Sequence, residues 1–305
     1  MTTQQPPHGS VKTRHALTLG LVLLVAVCGC ATPKLADTGS VLRNIPYKCG
    51  DALTGYEQQR GVLDVYLPKE QKDFATLVWF HGGGLTQGSK DKVDRDVDTP
   101  AVARSLARGG VAVVVPNYRL SPKAKYPAYV EDAAAAVAWT RAHMAERGGD
   151  TNRVFIGGHS AGGYLALMLG LDARYLANFG VPLSAIAGLV PVSGQVMTHY
   201  TVRGERGLGK FSVTADEAAP VYFARKDTPP MLVLYADHDM AARAEENAYL
   251  VALLQGAGNK GVTGKLITDR THGSIAGKIV REKDPARQAI LDFIQGRGEV
   301  KPNVP

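Results

Sequence analysis

From residue 60 onward the chain alternates short β-branched runs with longer stretches of helical periodicity, and this alternation limits the fold more than any other feature. Strands are predicted at 62–67 (VLDVYL), 76–81 (TLVWFH), 111–116 (VAVVVP), 153–158 (RVFIGG), 185–192 (AIAGLVPV), 231–236 (MLVLYA) and 264–269 (GKLITD). Several are apolar throughout, as a strand buried on both faces must be. Helical patterns lie between them, near 99–108, 128–147, 161–171, 241–255 and 284–295. Such a sequence builds βαβ units and a mainly parallel sheet with helices on both faces, an α/β architecture. No internal repeat or low-complexity tract interrupts the region, so residues 51–305 read as one catalytic-sized domain. The segment 195–228 breaks the rhythm, being long and polar between two core strands. It reads equally well as a lid, facing substrate, and as a surface helix-loop without function.

The first fifty residues follow other rules. Lys12 and Arg14 precede an apolar run from Ala16 to Gly29 with no acid among the first 15 residues. That run is short of the roughly 20 residues a bilayer span needs, and its charged-then-apolar order is that of an export signal. It ends in VCGCA, which resembles the bacterial lipobox, where small residues precede a Cys that is diacylated and becomes residue one. Residues 1–29 are therefore expected to be a lipoprotein-type signal peptide and Cys30 the lipidated residue, with Gly29 fitting the position before it. The plainer readings are an ordinary cleaved signal or an uncleaved anchor. Lipidation predicts an exported, membrane-anchored protein, and Ala31 after the Cys resembles the outer-membrane sorting pattern on the periplasmic face. Residues 30–50 are expected to be a tether. Of three cysteines only Cys49 would remain in the mature domain beyond Cys30, which excludes a disulfide framework. The net charge of +7 comes from scattered residues, 35 basic against 28 acidic, so no nucleic-acid partner is expected.

The chemistry is carried by a few short motifs. Gly158-His159-Ser160-Ala161-Gly162 follows a predicted strand and precedes a predicted helix. A serine at a strained strand-to-helix turn stands exposed above the sheet, and flanking glycines relieve the crowding there. The bland alternative is a serine capping a helix in a glycine-rich turn. About 80 residues upstream, His81-Gly82-Gly83-Gly84 follows another strand. Acyl transfer needs N–H donors aimed where an oxyanion develops, and a glycine run lets bare backbone come that close. No GKS or GKT follows, so a phosphate cradle is not expected. A base must lie after an acid at a strand end, and His272 in DRTHGSI is the histidine that meets this order. His199 and His238 read as surface or substrate-facing residues. Asp237 and Asp239 compete for the acid after MLVLYA; Asp237 would point along the turn, and Asp269 reads as a loop-capping residue. Cys49, Trp79 and Trp139 read as packing residues. No set of His, Cys and Asp has zinc-ligand spacing, so neither metal nor cofactor is expected.

In order, HGGG, PNYRLSP (116–122) with YPA (126–128) and Asp132, GHSAGG, PPMLVLYADHD and THG resemble the α/β-hydrolase esterases related to hormone-sensitive lipase. The resemblance spans about residues 60–295 and departs from the family pattern at LTQG after the HGGG, where an aromatic is frequent, and at Ala236, where Gly is usual. It implies an α/β-hydrolase fold, a Ser160–Asp239–His272 triad, and an oxyanion hole from the amides of Gly83, Gly84 and Ala161. The acid's spacing after its strand in that family favours Asp239. The implied reaction is hydrolysis of a small-molecule carboxylic ester of short or medium acyl length. Two alternatives remain: an amidase of arylformamidase type, and a catalytically silent, membrane-tethered binding protein on a hydrolase scaffold.

Overall fold

Strands follow the apolar runs because the central ones are buried from both sides, whereas the run at 264–269 lies in an edge strand and is largely exposed. The computed structural model describes Met1 and residues 40–69, 72–93 and 96–296. The expected signal peptide and Cys30 lie outside the described residues. Eight strands are formed: β1 (Val41–Pro46), β2 (Val62–Tyr66), β3 (Phe74–Phe80), β4 (Ala112–Pro116), β5 (Gly149–His159), β6 (Gly188–Val192), β7 (Met231–His238) and β8 (Val262–Thr271). The α-helices are α1 (Gly55–Arg60), α2 (Thr99–Arg108), α3 (Ala128–His143), α4 (Ala161–Leu171), α5 (Ala173–Ala177), α6 (Tyr200–Glu205), α7 (Arg243–Gly256), α8 (Ser274–Gly277) and α9 (Pro285–Gln295).

The strands make one sheet in the order β1-β2-β4-β3-β5-β6-β7-β8. β3 to β8 pair in parallel, and β2 runs antiparallel to both β1 and β4. Alternate residues of each strand feed opposite layers. Val78, Phe80, Val114 and Ile156 pack under α3, α4 and α7, whereas Leu77, Trp79, Val113 and Phe155 pack under α2, α8 and α9. Every residue of α4 is buried, which is why that helix is apolar all round rather than amphipathic. Trp79 and Trp139 are core residues, as read.

The tether expectation is corrected at its C-terminal end. Residues 41–46 form β1 at the sheet edge, with Ile45 and Tyr47 buried, so the folded domain begins before residue 50. The strand has no clean period-two pattern because a bulge between Leu42 and Ile45 puts Asn44 at φ 55°, and Pro46 ends it. What holds it is polar. The fully buried Asp64 of β2 accepts from the Asn44 N–H and from Arg43, both at 2.9 Å, and pairs with buried Lys90 at 2.8 Å. α1 is held by a reciprocal bond pair between Thr54 and Glu57 at its start, a T-x-x-E box that the hydrophobic pattern alone does not reveal. No helix among the described residues is long and apolar enough to cross a membrane.

Candidate active site

The parallel strands all point their carboxyl ends at one rim, and five of the seven non-glycine residues with positive φ among the described residues gather there. Ser160, between β5 and α4, sits at φ 58° and ψ −115°, outside the regions a serine ordinarily occupies. Two glycines make room for it: a Cβ on Gly158 or Gly162 would fall 2.6 or 2.0 Å from the Phe80 carbonyl oxygen. The Ser160 hydroxyl makes no helix-capping bond, which disposes of the capping alternative. Instead Ser160 Oγ lies 2.8 Å from His272 Nε2, and His272 Nδ1 lies 2.6 Å from Asp239 Oδ1. An ionised carboxylate only accepts, so Nδ1 carries the proton toward Asp239 and Nε2 is left to accept from the Ser160 hydroxyl.

Asp239 is held on both oxygens. Oδ1 also accepts from the Met240 N–H at 2.7 Å, and Oδ2 accepts from the Ser193 hydroxyl at 2.5 Å. Burial pushes the Asp239 carboxyl up, but the bonds from His272 and Ser193 outweigh it and bring the net below the ordinary carboxylate value. Ser193, fully buried at φ 48° just after β6, was not singled out by the motifs. Its only trace in the sequence is a serine-glycine pair following the apolar run PV. Asp237 turns away from this cluster, accepting from the N–H groups of Asp269 at 2.8 Å and Arg270 at 3.0 Å, which holds the irregular end of β8. Asp269 itself stands at that bulge with φ 56°.

Facing Ser160 is the glycine loop, where Gly83, Gly84 and Leu85 run at φ 111°, 64° and 61°. His81 is buried, and its Nε2 is 3.3 Å from Arg60 while its Nδ1 is 2.7 Å from the Gly82 carbonyl oxygen. A guanidinium can only donate, so Nε2 accepts and Nδ1–H donates to Gly82. Burial pulls the His81 pKa down to about 3, which keeps the ring neutral for both roles. In a trans peptide the N–H opposes the C=O, so anchoring the Gly82 carbonyl on His81 turns the Gly83 N–H the other way. No hydrogen bond among the described residues occupies the N–H of Gly83, Gly84 or Ala161.

Ser160, Asp239, His272 and the glycine loop line a cavity of about 550 Å³ with Tyr200, His238, Met240 and Thr271. Tyr200 and α6 belong to the 195–228 excursion, and Thr201 Oγ1 donates to the Gly84 carbonyl at 2.5 Å. The excursion therefore faces the site and is not a plain surface decoration. His238 is exposed at the cavity mouth, as read. His199 is a correction: it is buried rather than surface or substrate-facing, and its Nδ1 accepts from the Thr201 N–H at 3.2 Å to start α6. Burial holds its pKa well below the ordinary imidazole value. No group of His, Cys, Asp or Glu among the described residues is placed to hold a metal.

Solved structures share this architecture over most of the chain. A truncated carbohydrate esterase from gut microbiota superposes with a TM-score of 0.68 at 22% identity, covering 87% of this chain and 98% of that one. A hyperthermophilic esterase from the archaeon Pyrobaculum calidifontis gives 0.65 at 23%, covering 87% of each. This chain has the α/β-hydrolase fold. Within that fold the BD-FAE family model matches residues 63–180. The chain is 35% identical over 159 residues to the carboxylesterase NlhH of Mycobacterium tuberculosis, covering 52% of this chain and 44% of that one. It is 26% identical over 238 residues to the esterase LipQ of the same organism, covering 72% and 54%. The relatives are thus esterases, as the motifs imply, although the chain spans about half the length of the curated relatives it matches.

Proposed function

We propose that this hydrolase is a serine carboxylesterase, with Ser160 as nucleophile, His272 as base and Asp239 as the acid that orients it. The unbroken line of hydrogen bonds from Ser160 through His272 to Asp239 carries the reading. Ser160 Oγ attacks the ester carbonyl carbon as its proton passes to His272 Nε2. The carbonyl oxygen takes the negative charge and is received by the N–H groups of Gly83, Gly84 and Ala161. The C–O bond to the alcohol breaks, the departing oxygen collects the proton from His272, and Ser160 is left acylated. Water then gives a proton to the same Nε2 as its oxygen attacks the acyl carbon; the bond from that carbon to Ser160 Oγ breaks, Oγ takes the proton back from His272, and the acid leaves.

The acyl group is short, about two to six carbons, a preference that rests on the small size of the 195–228 excursion, whose Tyr200 is set against the glycine loop at the cavity wall. A chromogenic ester panel of rising acyl length, run beside Ser160→Ala, tests both claims. Expected is Ser160-dependent hydrolysis that falls off by ten carbons. Higher kcat/KM on long chains overturns the length preference, faster cleavage of matched amides would make the protein an amidase, and no turnover of either would leave a binding protein. We propose also that Cys30 carries a lipid anchor that keeps the domain outside the cytoplasm. Mass spectrometry of the membrane fraction should find diacylglycerol on Cys30, and an unmodified N-terminus elsewhere rules the anchor out.

A further inference from the structure

The residue before the nucleophile does something that the acyl-transfer scheme leaves unassigned. His159 is the variable residue of the Gly-x-Ser-x-Gly motif, and its ring is buried against two other parts of the site. Its Nε2 lies 2.6 Å from the backbone carbonyl oxygen of His272, and the two rings sit 4.8 Å apart. A carbonyl can only accept, so Nε2 carries the proton and donates. The opposite side of the ring lies against the glycine loop, where a Cβ on Gly82 would be 3.3 Å from His159 Nδ1.

We propose that His159 is a positioning residue that locks the His272 loop to the nucleophile turn, so that Nε2 of His272 stays within reach of Ser160 Oγ. The argument is one of distance along the chain. His272 follows β8, at the far edge of the sheet, and is separated from Ser160 by β6 and β7. Asp239 fixes how the imidazole is turned, yet it does not hold the backbone that carries the imidazole. The donor on His159 does so directly, from a residue bonded to Ser160 itself, and 113 positions before the carbonyl it grips. The neutral form suits this task. Burial pulls the His159 pKa down to about 3, so no second cation stands beside His272 when that ring becomes an imidazolium. A buried, bonded tether of this kind holds a reacting pair at the sub-ångström tolerance that proton transfer demands.

The inference rests on the esterase reading, and the test separates the two. Wild type, Ser160→Ala, His159→Leu, His159→Gln and His159→Asn are assayed with p-nitrophenyl acetate. Each is also treated with a fluorophosphonate, which transfers its phosphonyl group to an activated serine oxygen as fluoride leaves and the proton passes to the base. Intact mass reads the labelling rate. The Gln amide nitrogen reaches the place of the imidazole Nε2, whereas that of Asn stops short, so these two polar variants differ only in whether the donor arrives. Expected for Leu and Asn is a fall in kcat of about 100-fold with KM within about twofold, and a matching fall in labelling rate. Gln should recover most of both. Equal behaviour of Gln and Asn, or wild-type kcat in Leu, would mean that His159 only fills space, and the proposal fails while Ser160 is still labelled in the wild type. Wild type that is neither labelled nor active, or Ser160→Ala that keeps its turnover, overturns the esterase reading and this one with it.

Discussion

The rim at the carboxyl ends of the strands and the two helical layers beneath it are built on opposite principles. Five of the seven non-glycine residues with positive φ among the described residues, Leu85, Ser160, Ser193, Ala242 and Asp269, belong to the rim. A left-handed non-glycine residue costs roughly 1–3 kcal/mol and persists only when its surroundings over-determine it. The helices that form the layers hold no such residue. The layers are close-packed Leu, Val, Ile and Ala with strands feeding both sides alternately. The difference teaches where stability and chemistry are kept: burial in the layers offsets conformations at the rim that a stable fold alone would not select.

That contrast can be broken at several points. The largest effect is expected at the nucleophile. Ser160→Gly should remove activity by a factor on the order of 10⁶ in kcat, by subtilisin precedent, yet raise the melting temperature, because glycine adopts φ 58° without strain. A lower melting temperature would show that the turn is not strained. Next comes the carboxylate. Asp239→Asn should cost about 10⁴ in kcat, since an amide favours the wrong imidazole tautomer. Asp237→Asn, two residues away, should retain kcat and lower the melting temperature, because its task is to hold the Asp269 and Arg270 amides. Reversal of that pair would move the acid to Asp237.

The layers should behave in the contrary way. Leu165→Ala, in fully buried α4, should cost about 2–5 kcal/mol in denaturant unfolding while leaving kcat at 25 °C nearly unchanged. A selective loss of kcat there would mean that the layer helps to shape the site. The most gradual effect concerns acid. His81, His159 and His199 stay neutral in the folded protein, the first two until about pH 3, against an ordinary value of 6.5. Below 6.5 the unfolded chain binds protons that the folded one does not, so stability falls as pH drops toward 3. The slope is up to ~1.4 kcal/mol per pH unit for each ring, and stability is flat in this respect above pH 7. Chemical denaturation between pH 7.5 and 5 measures it. His199→Gln should flatten the slope, and an unchanged slope would assign the acid sensitivity to other groups.

What was legible in the chain follows the same division. The layers announced themselves, since apolar runs at period two or 3.6 reflect burial that any sequence in this fold must supply; α2 at 99–108 and α4 at 161–171 fall where the pattern puts them. The motifs at Ser160, His81–Gly84 and His272 were legible because tight turns demand glycine and proton transfer demands imidazole. Elements held by polar bonds were not. β1 depends on Asp64, a residue in another strand, and His199 carries no local sign that it would be buried to start a helix. Ser193 reaches Asp239 across 46 positions, and a serine after a strand looks like any other turn residue until the fold brings the two together.

The contact between the excursion and the glycine loop bears on how proteins of this fold diversify. Tyr200 Oη occupies the place where a Cβ on Gly84 would lie, at 1.9 Å, and Thr201 holds the carbonyl of that same glycine. The cavity wall formed by the excursion and the loop proposed to receive the oxyanion therefore share one joint. Grafting the 195–228 stretch from another hydrolase would not exchange specificity alone; unless the donor brings a matching tyrosine and threonine, it would also loosen the loop. Recombination in this scaffold is then constrained to swap the two segments as a pair, although they stand more than a hundred residues apart in the chain.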